Sequence, residues 1–331
     1  MNRSSVAEKR WAAFNALRHQ PTDSLSHVLS AQVPQPRCEH VALIYDGVED
    51  LARRLAPSLR RAAAEGGAVL VCLDEPATAR VRNDLGAVTD SFVFMPAATR
   101  YANPGVAMAA LDRFVVDALS SGARSAWSVG SIPLDGDNAN SRWMRYEAAV
   151  TNVFAERPLR AVCLYDASTT PLALRRSIGH AHGTVDGAWK NDGHGESTPA
   201  TSDLCPTRAP DLILTDAQPG AARASIDDLF ADHVSDEALA ALRLVATELT
   251  TNAMVHGTPP VHVRIWKEGD ACVIEVHDAG IGPIDEYADL RPCAGGAHGG
   301  FGLWLVGQLA DAVHIAAGER GTAVAALLRN R

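Results

Sequence analysis

ELTTNAMVHG (Glu248–Gly257) is the stretch whose reading decides the fold. A carboxylate, an amide and an imidazole recur every four residues, at Glu248, Asn252 and His256. Helical side chains at that spacing share a face, about a turn apart. Leu242, Val245, Leu249 and Ala253 supply the apolar side, so the segment reads as one helix with a core face and a polar line. The helix is expected from about Glu237 to His256. Ser235 or Asp236 caps its start, and Gly257 stops it.

The neighbouring segments extend the pattern. Ala221–Asp232 has helical spacing. VHVRIWK (Val261–Lys267) and CVIEVHD (Cys272–Asp278) alternate on either side of a polar turn, which is a β-hairpin signature. GGFGLWLVGQLAD (Gly299–Asp311) is a glycine-rich entry into a helix, and VHIAAGERGTAVAALL closes the chain as a second hairpin. Two helices, a hairpin, a helix and a hairpin predict an α+β two-layer sandwich, with helices on one face of an antiparallel sheet.

Three polar features fall in this half. Glu248 and Asn252 offer oxygen ligands suited to hydrated Mg²⁺, although such a pair is also ordinary helix surface. Asp278, at a strand end in DAGIG (Asp278–Gly282), can accept a hydrogen bond from an exocyclic amine, and Gly280 and Gly282 admit a flat base; the same pattern also makes a plain turn. Gly299, Gly300 and Gly302 precede a helix whose first N–H groups favour phosphate.

In this order, on these elements, the segment from about Leu212 to Leu328 resembles the GHKL (HATPase_c, Bergerat) ATPases of histidine kinases, gyrase, Hsp90 and MutL. ELTTNAMVHG resembles the N box, DAGIG the adenine-binding glycine box and GGFGLWLV the second glycine box. The resemblance implies ATP and Mg²⁺ as cofactors, Asn252 as the Mg²⁺ ligand and Asp278 as the adenine contact. It implies that Gly280, Gly282, Gly300 and Gly302 shape the pocket, with Thr322 near the adenine. Only sixteen residues, Pro283–His298, separate the glycine boxes, which is a short ATP lid. Short lids are typical of RsbW/SpoIIAB-type anti-sigma serine kinases. In that branch Glu248 matches the proposed general base, and the partners are a sigma factor or a STAS-type antagonist. Members commonly dimerise through the ATPase module, so a homodimer is one expected state. His256 reads as a phosphate or lid contact, or as a structural partner of the helix dipole. No phosphoacceptor His on a helical hairpin precedes the module; His180, His182 and His194 lie in or near a polar segment. The competing functions are a nucleotide-dependent binding switch that transfers no phosphate, and an atypical sensor histidine kinase.

Upstream, apolar runs such as HVALIYDG (His40–Gly47), GGAVLVCLDEP (Gly66–Pro76), SFVFM (Ser91–Met95), SAWSVGS (Ser125–Ser131) and LRAVCLYD (Leu159–Asp166) alternate with helical spacing at Leu51–Glu65, Val106–Leu119 and Arg142–Glu156. That order predicts a parallel α/β sheet covered on both faces. HVALIYDG, Tyr146–Glu147, CLYD and a late histidine resemble the MEDS sensory domain, a distantly RecA-like fold. A MEDS domain fused to an anti-sigma kinase module matches the RsbA-type regulators. His40, Glu147, Cys163, Asp166 and His182 are candidates to line a ligand or metal site at the strand ends, with plain structure or a protein interface as alternatives. No GxxxxGK[ST] phosphate loop occurs in this half.

The expected organisation is an N-terminal extension (1–36), the MEDS-like domain (37–182), a polar linker rich in Gly, Pro, Ser, Thr and Asp (183–210) and the ATPase module (211–331). The chain has 331 residues and a net charge of −9. An acidic balance argues against a nucleic-acid groove. Six scattered cysteines without a CxxC pair, no secretory h-region and no long apolar run suggest a reduced, cytoplasmic protein without a membrane span.

Overall fold

The computed structural model describes residues 38–134, 137–187, 204–281, 285–291 and 301–330, with side chains except at 137–141 and 173. The N-terminal extension, most of the linker and the candidate residues Gly282 and Gly300 lie outside the described residues.

Six strands form the first sheet: β1 (Glu39–Tyr45), β2 (Ala68–Leu73), β3 (Val93–Pro96), β4 (Ala126–Gly130), β5 (Leu159–Asp166) and β6 (Thr184–Asp186). Their spatial order is β3-β2-β4-β5-β1-β6, and every pairing is parallel. Parallel strands need crossovers, and helices supply them. Helices α1 (Gly47–Ala64) and α2 (Glu75–Leu85) cover one face, over Leu43, Val71, Val129 and Leu164. A single turn, α3 (Ala97–Arg100), leads into α4 (Pro104–Ser120), which with α5 (Asp137–Val153) and α6 (Leu172–Ala181) covers the other face. That core holds Ala42, Cys72, Met108, Trp143, Tyr146 and Cys163. Side-chain caps set two starts: Asp74 accepts from Ala77 N (3.0 Å), and Asn103 from Val106 N (2.7 Å).

The expected parallel α/β region and the α+β sandwich are both observed. Two short strands go beyond the sequence reading. Thr184–Asp186, assigned by composition to the linker, pairs with β1 at the sheet edge, and β7 (Leu212–Thr215) opens the second sheet.

The second sheet is antiparallel, in the order β10-β11-β9-β8-β7. Its other strands are β8 (His262–Glu268), β9 (Ala271–Asp278), β10 (Ala312–Gly318) and β11 (Gly321–Arg329). Helices α7 (Pro219–Phe230), α8 (Asp236–His256) and α9 (Phe301–Leu309) pack on one face through Ile226, Leu242, Val245, Leu249 and Val306 against Val263, Ile274, Val276 and Val324. Ser235 caps α8, its hydroxyl accepting from Ala238 N at 3.2 Å. On the opposite face, Trp266 and Val273 pack with Leu204 and Cys205, and Trp266 Nε1 donates to Arg208 O (3.0 Å). The described residues fall in one compact unit.

Candidate functional sites

Helix α8 buries its apolar side in the sandwich and leaves Glu248 and Asn252 half-buried, on the side where α9 begins. A Cβ placed on Gly302 would lie 2.8 Å from Glu248 Oε2 and 2.9 and 3.1 Å from Asn252 Nδ2 and Oδ1. The Glu248 carboxylate and the Asn252 amide therefore meet at the first turn of α9, where N–H groups point outward. That arrangement suits a divalent cation bridging protein oxygen and phosphate. His256 is exposed in the last turn of α8, away from this convergence.

Asp278 ends β9 and is 5% exposed. Its Oδ1 accepts from Gly280 N (2.7 Å) and from Thr258 N (3.0 Å). Both bonds use Oδ1, which leaves Oδ2 to accept from a ligand amine. Thr322 pairs with Asp278 across β11 and β9, and its hydroxyl donates to Gly280 O (3.0 Å). Asp278, Gly280 and Thr322 are thus one hydrogen-bonded corner. Thr258 belongs to it through its backbone alone, which side-chain chemistry in the sequence does not reveal.

A second cluster lies within the first sheet. His40 on β1, Cys163 on β5, Glu147 on α5 and His182 just past α6 are all buried. His40 Nε2 is 2.8 Å from Glu147 Oε2 and 3.3 Å from Cys163 Sγ. Cys163 Sγ is 3.1 Å, and His182 Nε2 3.2 Å, from the same Glu147 oxygen. Burial alone would raise the Glu147 pKa, but the adjacent His182 and His40 rings outweigh it and hold the carboxylate well below its ordinary range. Burial lowers His40, against the pull of Glu147. Burial and then Glu147 push the Cys163 thiol well above its ordinary value.

The cluster sits beneath α5 on the sheet face rather than at the carboxyl strand ends, where the sequence reading put it. Asp166 stays apart from it. At the end of β5, its Oδ1 accepts from Ser168 N (2.7 Å) and Ser168 Oγ (2.5 Å), which closes a local turn.

Residues 214–327 match the family described as Histidine kinase-like ATPase domain, and residues 39–182 match MEDS, the MEthanogen/methylotroph, DcmR Sensory domain. The chain joins a MEDS domain to a histidine kinase-like ATPase domain. None of the curated proteins matches the sequence. The NMR structure of the histidine kinase domain of the E. coli osmosensor EnvZ is similar over 38% of this chain and 91% of that one, at 14% identity and a TM-score of 0.23. An ATPase domain of this type beside a sensory domain makes the chain a nucleotide-dependent regulatory protein of kinase-like type. Among the described residues, no helix is long and apolar enough to cross a membrane.

The two domains meet through the segment between the glycine boxes. Leu290, 1% exposed, is part of the MEDS core, and Tyr287 packs beside it. Arg145 of α5 donates to both carboxylate oxygens of Asp289, at 2.6 and 2.9 Å, and also to Glu286 O. Arg291 Nη2 donates to Asn152 Oδ1 (2.9 Å). Close by, Asn103 Nδ2 donates to Gln308 O (2.9 Å). A Cβ on Gly105 would lie 2.0 Å from Gly307 O, so α4 and α9 touch backbone to backbone. The sequence reading missed Arg145 and Asp289, because 144 residues separate them and neither belongs to a motif.

Proposed function

We propose that the chain is an anti-sigma-type regulatory protein that binds Mg²⁺·ATP and phosphorylates a seryl hydroxyl on an antagonist protein, under control of its MEDS domain. The supporting observation is the meeting of the Glu248 carboxylate and the Asn252 amide at the first turn of α9. Adenine recognition by Asp278 does not need a second carboxylate there, whereas phosphoryl transfer does. In-line transfer calls for a metal to neutralise charge and a base to take or orient the hydroxyl proton. In this reading Asn252 holds the cation and Glu248, one turn away, serves the incoming hydroxyl. Mg²⁺ would supply charge neutralisation at the phosphates. The partners are a sigma factor and a STAS-type antagonist, and the protein acts in the cytoplasm.

The docked segment favours a second reading. A lid buried in a sensory core suits a switch that changes partner contacts with nucleotide and transfers no phosphate. His182, buried 6% exposed beside Glu147, is poorly placed as a phosphoacceptor, which weighs against a sensor histidine kinase.

Labelled ATP, Mg²⁺ and candidate antagonists separate these readings. Label on antagonist serine that disappears in Glu248→Ala, while nucleotide still binds, supports the kinase. Nucleotide-dependent binding of sigma factor or antagonist without label leaves the switch. Acid-labile label on the chain itself points to the histidine kinase. Asn252→Ala should abolish Mg²⁺-dependent binding, and unchanged affinity would refute the metal assignment.

A further inference from the structure

The MEDS cluster gathers four buried side chains of metal-ligating type. His182 Nδ1 lies 2.7 Å from Ile178 O. A carbonyl oxygen only accepts, so Nδ1 carries a hydrogen and Nε2 is the nitrogen turned toward the cluster. Nε2 faces Glu147 Oε2 at 3.2 Å, a contact that needs a proton or another cation on Nε2. Glu147 is itself fully buried, with Tyr165 beside it as a further hydrogen-bond partner. Two buried acceptors facing each other are costly unless a proton or a metal ion lies between them, and the three donors around Glu147 Oε2 form a ready set for a metal.

The geometry points to that cation: we propose that His40, Glu147, Cys163 and His182 form a binding site for a borderline divalent transition metal, with Zn²⁺ the best match. One ligand atom from each residue lies within 4.8 Å of the others. Zinc bonds of about 2.0–2.3 Å give donor separations of roughly 3.2–3.8 Å in a tetrahedron, so the widest pair would close by up to about 1 Å and the closest would open slightly. Both imidazoles present Nε2 inward and use Nδ1 on an outer partner. For His182 the partner is Ile178 O, and for His40 it is Thr151 Oγ1 at 3.2 Å. Metal-bound histidines are oriented this way. A carboxylate and a thiolate neutralise a divalent cation, so the loaded site adds no net charge to the core. Thiolate and imidazole donors also select against Mg²⁺, which separates this site from the nucleotide site.

A Cys-His-Glu catalytic triad is the competing chemistry, and the contacts oppose it. In a triad the carboxylate holds the ring nitrogen remote from the nucleophile. Here Glu147 Oε2 and Cys163 Sγ both meet the same nitrogen, His40 Nε2. His40 Nε2, Cys163 Sγ and His182 Nε2 all gather around Glu147 Oε2, a grouping that suits ligands of one ion better than a relay. With four protein ligands and no open position, the site is of the closed type that holds a metal for structure or signal rather than for hydrolysis.

The test uses the full chain, stripped with a chelator and titrated with Co²⁺ as a spectroscopic probe, then with Zn²⁺. The expected result is a thiolate-to-cobalt charge-transfer band with tetrahedral d–d bands, saturating at one cation per chain and displaced by Zn²⁺. Cys163→Ser should remove the charge-transfer band. Thr151→Val, which touches no donor atom, should weaken Zn²⁺ binding about 10–100-fold. Absence of the band in the unmutated chain, its persistence in Cys163→Ser, or full affinity in Thr151→Val would overturn the site. If Cys163→Ser fails to fold, the unmutated chain and Thr151→Val still decide. Mg²⁺·ATP binding, followed in parallel, reports on the ATPase domain independently.

Discussion

Removing the Arg145 guanidinium should release the segment that the MEDS domain holds. Asp289 is 1% exposed and takes two hydrogen bonds from Arg145, at 2.6 and 2.9 Å. In Arg145→Ala its carboxylate would stay docked without its cation. Breaking a buried pair costs about 3–5 kcal/mol, and the lower end applies because the Arg145 side chain is 19% exposed. About 3 kcal/mol corresponds to roughly a 150-fold shift from docked to undocked segment. The penalty depends on pH. Burial raises the Asp289 pKa above 3.8, against Arg145 and with a smaller push from Asp285. A raised carboxylate favours docking fully below 3.8, and that contribution fades as pH rises through its docked value. A protonated Asp289 needs no cation, so the Arg145→Ala penalty should shrink in acid. The assay is amide hydrogen exchange of the turn in which Leu290 N and Arg291 N donate to Tyr287 O, at 2.9 and 2.8 Å. Protection should fall about 150-fold at neutral pH and recover in part as the medium is acidified. Unchanged protection, or a loss independent of pH, would refute the reasoning.

Asp278→Asn keeps an acceptor for Gly280 N and Thr258 N but replaces a carboxylate oxygen with a donor. The sandwich should stay folded while ATP affinity, read by calorimetry, drops about 10–100-fold for the loss of roughly 1.5–3 kcal/mol of charged hydrogen bonding. Gly321 has φ of +116°, and a Cβ there would lie 2.0 Å from Asp278 O. Gly321→Ala should cost about 3 kcal/mol through strain and overpacking, lowering the melting temperature of the ATPase domain in a thermal scan by about 6–12 °C. Ser235→Ala removes the α8 cap and should cost about 1 kcal/mol in denaturant unfolding.

Local chemistry made the ATPase domain readable. Glu248, Asn252 and His256 lie on one helix, and Asp278 and Gly280 on one turn, so spacing alone predicts which side chains share a face. The MEDS sheet was readable for a different reason: strands buried on both faces are continuous apolar runs. Helix α2 was not read, because its buried stripe is only Ala77, Val81 and Leu85. Edge strand β6 was hidden in polar composition, and its residues are exposed. The metal-type cluster was legible as a set of residue types but not as a place. His40 and Glu147 are brought together across 107 residues by the parallel pairing of β1 with β5 and by the crossover through α5. Asp166 was grouped with them because it ends the same strand as Cys163, yet three residues along β5 the side chain has moved to the sheet's end and the opposite face.

On the proposed function, the buried Leu290 and the Arg145–Asp289 pair would make nucleotide and sensory input reciprocal. If the segment serves as the ATP lid, it is a shared variable: whatever freed it to close over a nucleotide would remove part of the sensor's own core. Linkage then requires that if a signal in the MEDS domain changes nucleotide affinity by some factor, the nucleotide changes the affinity for that signal by the same factor. The protein's response to its signal would therefore depend on the cell's ratio of ATP to ADP, because the sensor reads its ligand and the energy state together.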